Sequence, residues 1–253
     1  MLATALSRYA AIHFIDEPLF LRSANIARSL FGDLVAAGAL PGAIYRVWAS
    51  GAVWSPIGGW VGGEETGAPQ SEWFSPAAVW WARRASVFLE SGTPLAQIAD
   101  VLRETFLADF RSVLETLPVA RLAYPDAFPG GRLDPQAAED AGRSEWADWI
   151  NGGYGVCLRR FDARSLAVKT GEAARVRAIT AAGTRETLTA SEKLELLDAM
   201  EKLDAVMLPF APHQRPKGTP GFWVDAPLAR YGMGSVPLVW SLIVQDGGSE
   251  KCA

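Results

Sequence analysis

The sequence predicts a mainly α-helical fold with a small β-hairpin and loop region near residues 43–62, and three observations carry that expectation. Apolar residues recur at helical spacing along most of the chain beyond residue 75. Capping residues stand just ahead of those runs. The stretch that breaks the pattern, residues 41–70, is glycine-rich and holds two short runs of β-type residues.

Residues 16–38 read as two short helices. Asp16 caps the first, with Glu17 and Pro18 in its opening turn. The second carries Ile26, Leu30, Leu34 and Val35 on one face, and Gly38 is placed to end it. Tyr45-Arg46-Val47-Trp48 and Ala52-Val53-Trp54 read as strands around the turn Ala49-Ser50-Gly51, and Gly58 to Glu65 reads as a loop. Ser75-Pro76 starts a helix containing Val79, Trp80, Val87 and Phe88. Thr93-Pro94 starts another, with an apolar stripe from Leu95 through Ile98, Leu102, Phe106 and Phe110 to Leu117. A Pro- and Gly-rich loop spans 124–134. Helices then follow from Asp134-Pro135 to Trp149, and from Asp162 to about Ala182. Thr189 and Glu192 have capping-box spacing, ahead of Leu196, Met200, Leu203 and Met207 on one face, and Pro209 ends that helix. A last segment lies near Trp223–Tyr231. The expected organisation is an N-terminal helical pair, 1–40, and a larger mainly helical domain, 41–253.

Composition narrows the function. The 253 residues are 49% hydrophobic and 21% charged, which suits a folded core. A net charge of −4 lacks the positive field that nucleic-acid or anionic-membrane binding requires. The longest apolar stretch, Val236 to Val244, contains Pro237 and is too short to span a bilayer. The opening segment has no charged leader before an apolar run, so no signal peptide is predicted. Cys157 and Cys252 make no disulfide framework, no CxxC spacing exists, and the two histidines, His13 and His213, form no cluster. A reduced cytoplasmic setting without a metal site is the expectation. A helix-turn-helix reading of residues 16–38 implies a DNA-binding regulator, but its second helix offers only Arg28 beside Asp33.

The chain holds ten tryptophans, and six of them (Trp48, Trp54, Trp60, Trp73, Trp80 and Trp81) lie within one segment of 34 positions. Core packing accounts for Trp80 and Trp81 on a helix. The other four fall in the irregular region, and an aromatic-walled pocket is the alternative to simple packing. Glu72 precedes Trp73-Phe74. A carboxylate set against aromatic surface loses hydration, which favours acid–base work; the competing reading is a favourable charge near the N-terminus of the next helix. Arg46, on a predicted strand, either meets an anionic partner through its guanidinium fork or points to solvent. Cys157 and His213 suggest a nucleophilic pair only formally, because Cys157 sits in an apolar context that suits a small core residue.

Three segments carry a resemblance: Trp149-Ile150-Asn151-Gly152-Gly153-Tyr154-Gly155-Val156-Cys157-Leu158-Arg159, then Phe210-Ala211-Pro212-His213-Gln214-Arg215, and Leu34 to Pro41 leading to Tyr45. They resemble a bacterial family of unknown-function domains labelled natural product biosynthesis proteins, which is similar to the Pictet–Spenglerases of bacterial β-carboline biosynthesis. The resemblance implies a mainly helical homodimer that needs no cofactor. It implies a glutamate that shuttles protons and an upstream arginine that holds the acidic group of an aldehyde. Glu72 and Arg46 stand in that order and at nearly that spacing. The family pattern also places a histidine between them, and residues 47–71 contain none, which leaves the aldehyde partner open. Trp48, Trp54, Trp60, Trp73 and Phe74 would then wall the site. The implied activity joins L-tryptophan or a relative to an acidic or phosphorylated aldehyde. A non-catalytic accessory protein that binds such ligands is the rival expectation.

Overall fold

The computed structural model describes residues 2–234, so the expectations at Val236–Val244 and Cys252 lie outside the described residues. Among the described residues helices dominate, as the hydrophobic spacing predicts, and five short strands form one small sheet. The chain opens with α1 (Leu2–His13), β1 (Ile15–Asp16), α2 (Glu17–Ala24) and α3 (Arg28–Ala36). Strands β2 (Tyr45–Val47), β3 (Val53–Ser55), β4 (Gly59–Val61) and β5 (Ser71–Phe74) follow. Then come α4 (Ala77–Glu90), α5 (Leu95–Thr116), α6 (Ala120–Ala123), α7 (Pro135–Ile150), α8 (Ala163–Ile179), α9 (Ala190–Val206) and α10 (Ala226–Arg230).

Local signals set the helix starts. Asp16, Asp134 and Asp162 each accept a hydrogen bond from a first-turn backbone N–H, and Thr189 with Glu192 completes a capping box. Gly38 takes the left-handed conformation (φ 68°) that releases the chain after α3. The segment 124–134 is a tight connection built on two 3-10 turns, at Pro125–Ala127 and Pro129–Gly131.

The sheet is antiparallel throughout, in the order β1-β5-β2-β3-β4. It is wider than the expected hairpin. Gly59–Val61, expected as loop, forms an edge strand on β3, and Ser71–Phe74 enters the middle of the sheet. Through β1 and the packing of Phe20 and Phe31 on Phe74, the N-terminal helical pair shares one core with the helices beyond residue 75.

An aromatic hub centres that core. Phe161 stacks on Trp149 (4.4 Å, 5°) and on Phe106 (5.0 Å, 16°), and its carbonyl accepts a hydrogen bond from Trp81 Nε1 at 2.8 Å. One residue thereby ties α4, α5 and α7 to the start of α8. Leu196, Met200, Leu203 and Met207 are buried together, as their spacing predicts. Of the tryptophan pair on α4, Trp81 is core, whereas Trp80 is 48% exposed, contrary to the expectation that both pack inward. Consecutive helical positions lie about 100° apart, so both cannot face the same neighbour.

Gly171 lets α8 pack tightly on the residue that leads into α6: a Cβ there would lie 2.7 Å from the Val119 carbonyl oxygen. Gly171→Ala is expected to destabilise the protein by about 1–3 kcal/mol in urea unfolding, because backbone has to give way. An unchanged midpoint would mean that the two helices separate at no cost.

Candidate functional site

The outer face of the sheet carries a row of four side chains set by strand register. Glu72 on β5 opposes Arg46 on β2, Arg46 opposes Trp54 on β3, and Trp54 opposes Trp60 on β4. Cross-strand neighbours on one face lie close enough to touch. Arg46 Nε donates to Glu72 Oε1 at 3.0 Å, and the same guanidinium lies 5.2 Å from the Trp54 ring centroid. Trp48, just past β2, packs against Trp60 (4.6 Å between centroids), and its Nε1 donates to the Gly67 carbonyl at 3.2 Å.

Arg46, Glu72 and Trp54 are therefore brought together, with Trp60 and Trp48 continuing the row. Trp73 and Phe74 are not part of it. Side chains alternate across a strand, so Trp73, paired with Tyr45, points to the opposite face and packs on the core. Phe74 shares the parity of Glu72 but is buried under α2 and α3 against Phe20 and Phe31. The group that meets the Glu72 carboxylate is thus a guanidinium, in place of the aromatic surface expected from its sequence neighbours. Both partners of the ion pair stay partly open, at 41% and 39% side-chain exposure. Such a pair contributes only about 0–1 kcal/mol to stability, so it leaves both groups accessible without anchoring the fold.

The formal pair of Cys157 and His213 gains no support. Burial raises the pKa of the Cys157 thiol, the opposite of what a nucleophile needs, and its sulfur lies 3.7 Å from the carbonyls of Gly153 and Tyr154. Burial also lowers the pKa of His213, helped by Lys217. Among the described residues, no group of three or more His, Cys, Asp or Glu side chains is placed to hold a metal ion, and no helix is long and apolar enough to cross a membrane.

A second polar cluster was not legible in the sequence. Glu145 on α7 accepts hydrogen bonds from Tyr124 Oη at 2.8 Å and from Tyr154 Oη. Lys169 Nζ sits 5.0 Å from the Tyr154 ring centroid. Burial, reinforced by the Glu145 charge, drives both tyrosine pKa values up, so both phenols remain protonated donors. Tyr154, Cys157 and Lys169 open onto a cavity of about 520 Å³ whose walls include Phe210 and Trp223. These residues come from four separate segments, and Glu145 by itself reads as one more solvated helix charge.

The family of unknown function DUF6058 matches residues 102–232, just over half of the chain. The chain belongs to this family. No curated protein and no solved structure matches it. The DUF6058 region contains the Glu145 cluster and two of the three motif segments, 149–159 and 210–215. The Arg46–Glu72 face lies N-terminal to it.

Cys157 is expected to resist iodoacetamide in the native protein at pH 8 and to become labelled only on denaturation, as followed by peptide-resolved mass spectrometry. Rapid native labelling would show that the thiol is neither buried nor held protonated.

Proposed function

We propose that this chain is a cofactor-free Pictet–Spengler cyclase that joins L-tryptophan, or a close relative, to an acidic or phosphorylated aldehyde on the outer face of the sheet. The observation that carries the reading is the juxtaposition of Glu72, Arg46 and Trp54: a carboxylate, a guanidinium and an indole in adjacent register. The resemblance to the Pictet–Spenglerases of β-carboline biosynthesis points to the same two polar residues.

The chemistry divides among them. The amine attacks the aldehyde carbon and water leaves, giving an iminium. The indole C2 carbon attacks that iminium carbon and closes the ring, and the C2 proton then departs to restore the aromatic system. Glu72 is the base that takes the amine proton and the final C2 proton, and in its acid form it assists the loss of water. Arg46 uses Nε to hold Glu72, while its remaining N–H donors offer a fork to the acidic group of the aldehyde. Trp54 and Trp60 give the iminium an aromatic surface, worth about 1–2 kcal/mol once water is displaced. Holding both reactants on one rigid face supplies the orientation that the uncatalysed reaction lacks.

The test is mass spectrometry of purified protein with L-tryptophan and a panel of aldehydes, beside a no-enzyme control. A single stereoisomer is expected at the mass of the two reactants less water, formed well above control. Glu72→Gln should reduce turnover by about 10²–10⁴-fold, and Arg46→Gln should act mainly on the KM of the acidic aldehyde. Full turnover in Glu72→Gln would exclude the mechanism. Binding of tryptophan without acceleration by any aldehyde would favour a non-catalytic accessory protein.

A further inference from the structure

The exposed Trp80 has a setting that the cyclase chemistry does not use. It borders a cavity of about 580 Å³ between the start of α4 and the Arg159–Asp162 segment that leads into α8. The size falls in the range of small-molecule sites, on the order of 300–1,000 Å³. Three arginines line the cavity, Arg83, Arg159 and Arg160, against a single carboxylate, Asp162. In a chain of net charge −4 that local excess of positive charge runs against the overall balance.

One carboxylate among three guanidiniums leaves the lining net positive, and Asp162 itself is held at the start of α8. One Asp162 oxygen accepts from the Ser165 backbone N–H at 2.7 Å and the other from Ser165 Oγ at 3.1 Å, which caps α8. Arg83 uses Nε on the Ser23 carbonyl at 2.7 Å, so its terminal nitrogens stay available. Arg160 is exposed and makes no ion pair among the described residues. Pro76 and Ala77, at the start of the 14-residue α4, also line the cavity, so the positive end of that helix faces the same space. Trp80 adds a flat wall. Arg84 covers one part of the indole, with its guanidinium carbon 4.9 Å from the ring centroid, and the ring is still half exposed.

We propose that this cavity is a second ligand site, for a small planar molecule bearing a phosphate monoester. The forks of Arg83 and Arg160 hold the dianion, the field of the α4 terminus favours it, and the ring stacks on Trp80. The site shares no lining residue with the Arg46–Glu72 face and does not depend on the cyclase reading.

Phenyl phosphate is the probe, titrated by calorimetry into the full-length protein at about 0.15 M salt, an ionic strength that screens loose surface attraction beyond about 8 Å. Phenol and inorganic phosphate, each lacking half of the ligand, are the comparison arms. Phenyl phosphate is expected to bind at least about tenfold more tightly than either. Arg160→Gln, at an exposed position, is expected to weaken it about tenfold, the equivalent of one charge-assisted hydrogen bond of ~1.4 kcal/mol. Trp80→Leu should weaken phenyl phosphate while leaving inorganic phosphate unchanged. Arg132→Gln, at an exposed position outside the cavity lining and outside the sheet face, should leave binding intact. Thermal melts of each variant separate loss of fold from loss of binding. Equal affinity for phenol, indifference to Arg160→Gln in a folded variant, or loss of binding in Arg132→Gln would each overturn the assignment.

Discussion

The pairing of β5 with β2 is the constraint on which the site depends. Those strands are only four and three residues long, and their chain neighbours are glycine- and proline-rich, so neither is stable alone. Register comes from the buried side. Tyr45 and Val47 must face the core, which forces Arg46 outward. Trp73 must face inward beside Tyr45, which forces Glu72 outward. A one-residue slip would turn all of them over. The Arg46–Glu72 contact is therefore a consequence of burying their neighbours, not a source of stability.

The inward side of the sheet is in turn tied to the far end of the chain. Tyr45 Oη donates to Gln214 Oε1 at 3.3 Å, and Tyr9 Oη donates to the Pro209 carbonyl at 2.7 Å. Arg215 clamps Asp225 with two 2.7 Å hydrogen bonds, holding the segment that follows. The sheet thus rests on the DUF6058 portion of the chain, although the Arg46–Glu72 face lies outside it. That arrangement separates two kinds of polar environment. The open face offers accessible charge next to indole, whereas the Glu145 carboxylate is half-buried and held by two tyrosines beside a cavity.

How much of this was legible follows from how local each determinant is. Helices were readable because caps such as Asp134, Asp162 and Thr189 act within one turn. The strands β1 and β5 were not, because two to four residues carry too little period and their pairing is set by distant partners. The same reason explains Trp73 and Phe74, whose sides of the strand depend on a register that no local signal reports. Resemblance and residue type single out Arg46 and Glu72 in the sequence, and the fold places them in contact. Trp80 and Trp81 are neighbours of one kind in the chain; the position of α5 and α7 decides which is buried. In the sequence Glu145 is indistinguishable from other helix-surface acids, because Tyr124 and Tyr154 meet it only in the fold.

The most direct measurement is a crystal structure of the protein with a bound tetrahydro-β-carboline-3-carboxylate, the product class of the proposed reaction. The tricyclic ring is expected over Trp54 and Trp60, with its nitrogen beside Glu72 and an acidic group on Arg46. A product molecule seated instead in the Tyr154 cavity, with the Arg46–Glu72 face unoccupied, would contradict the proposed site.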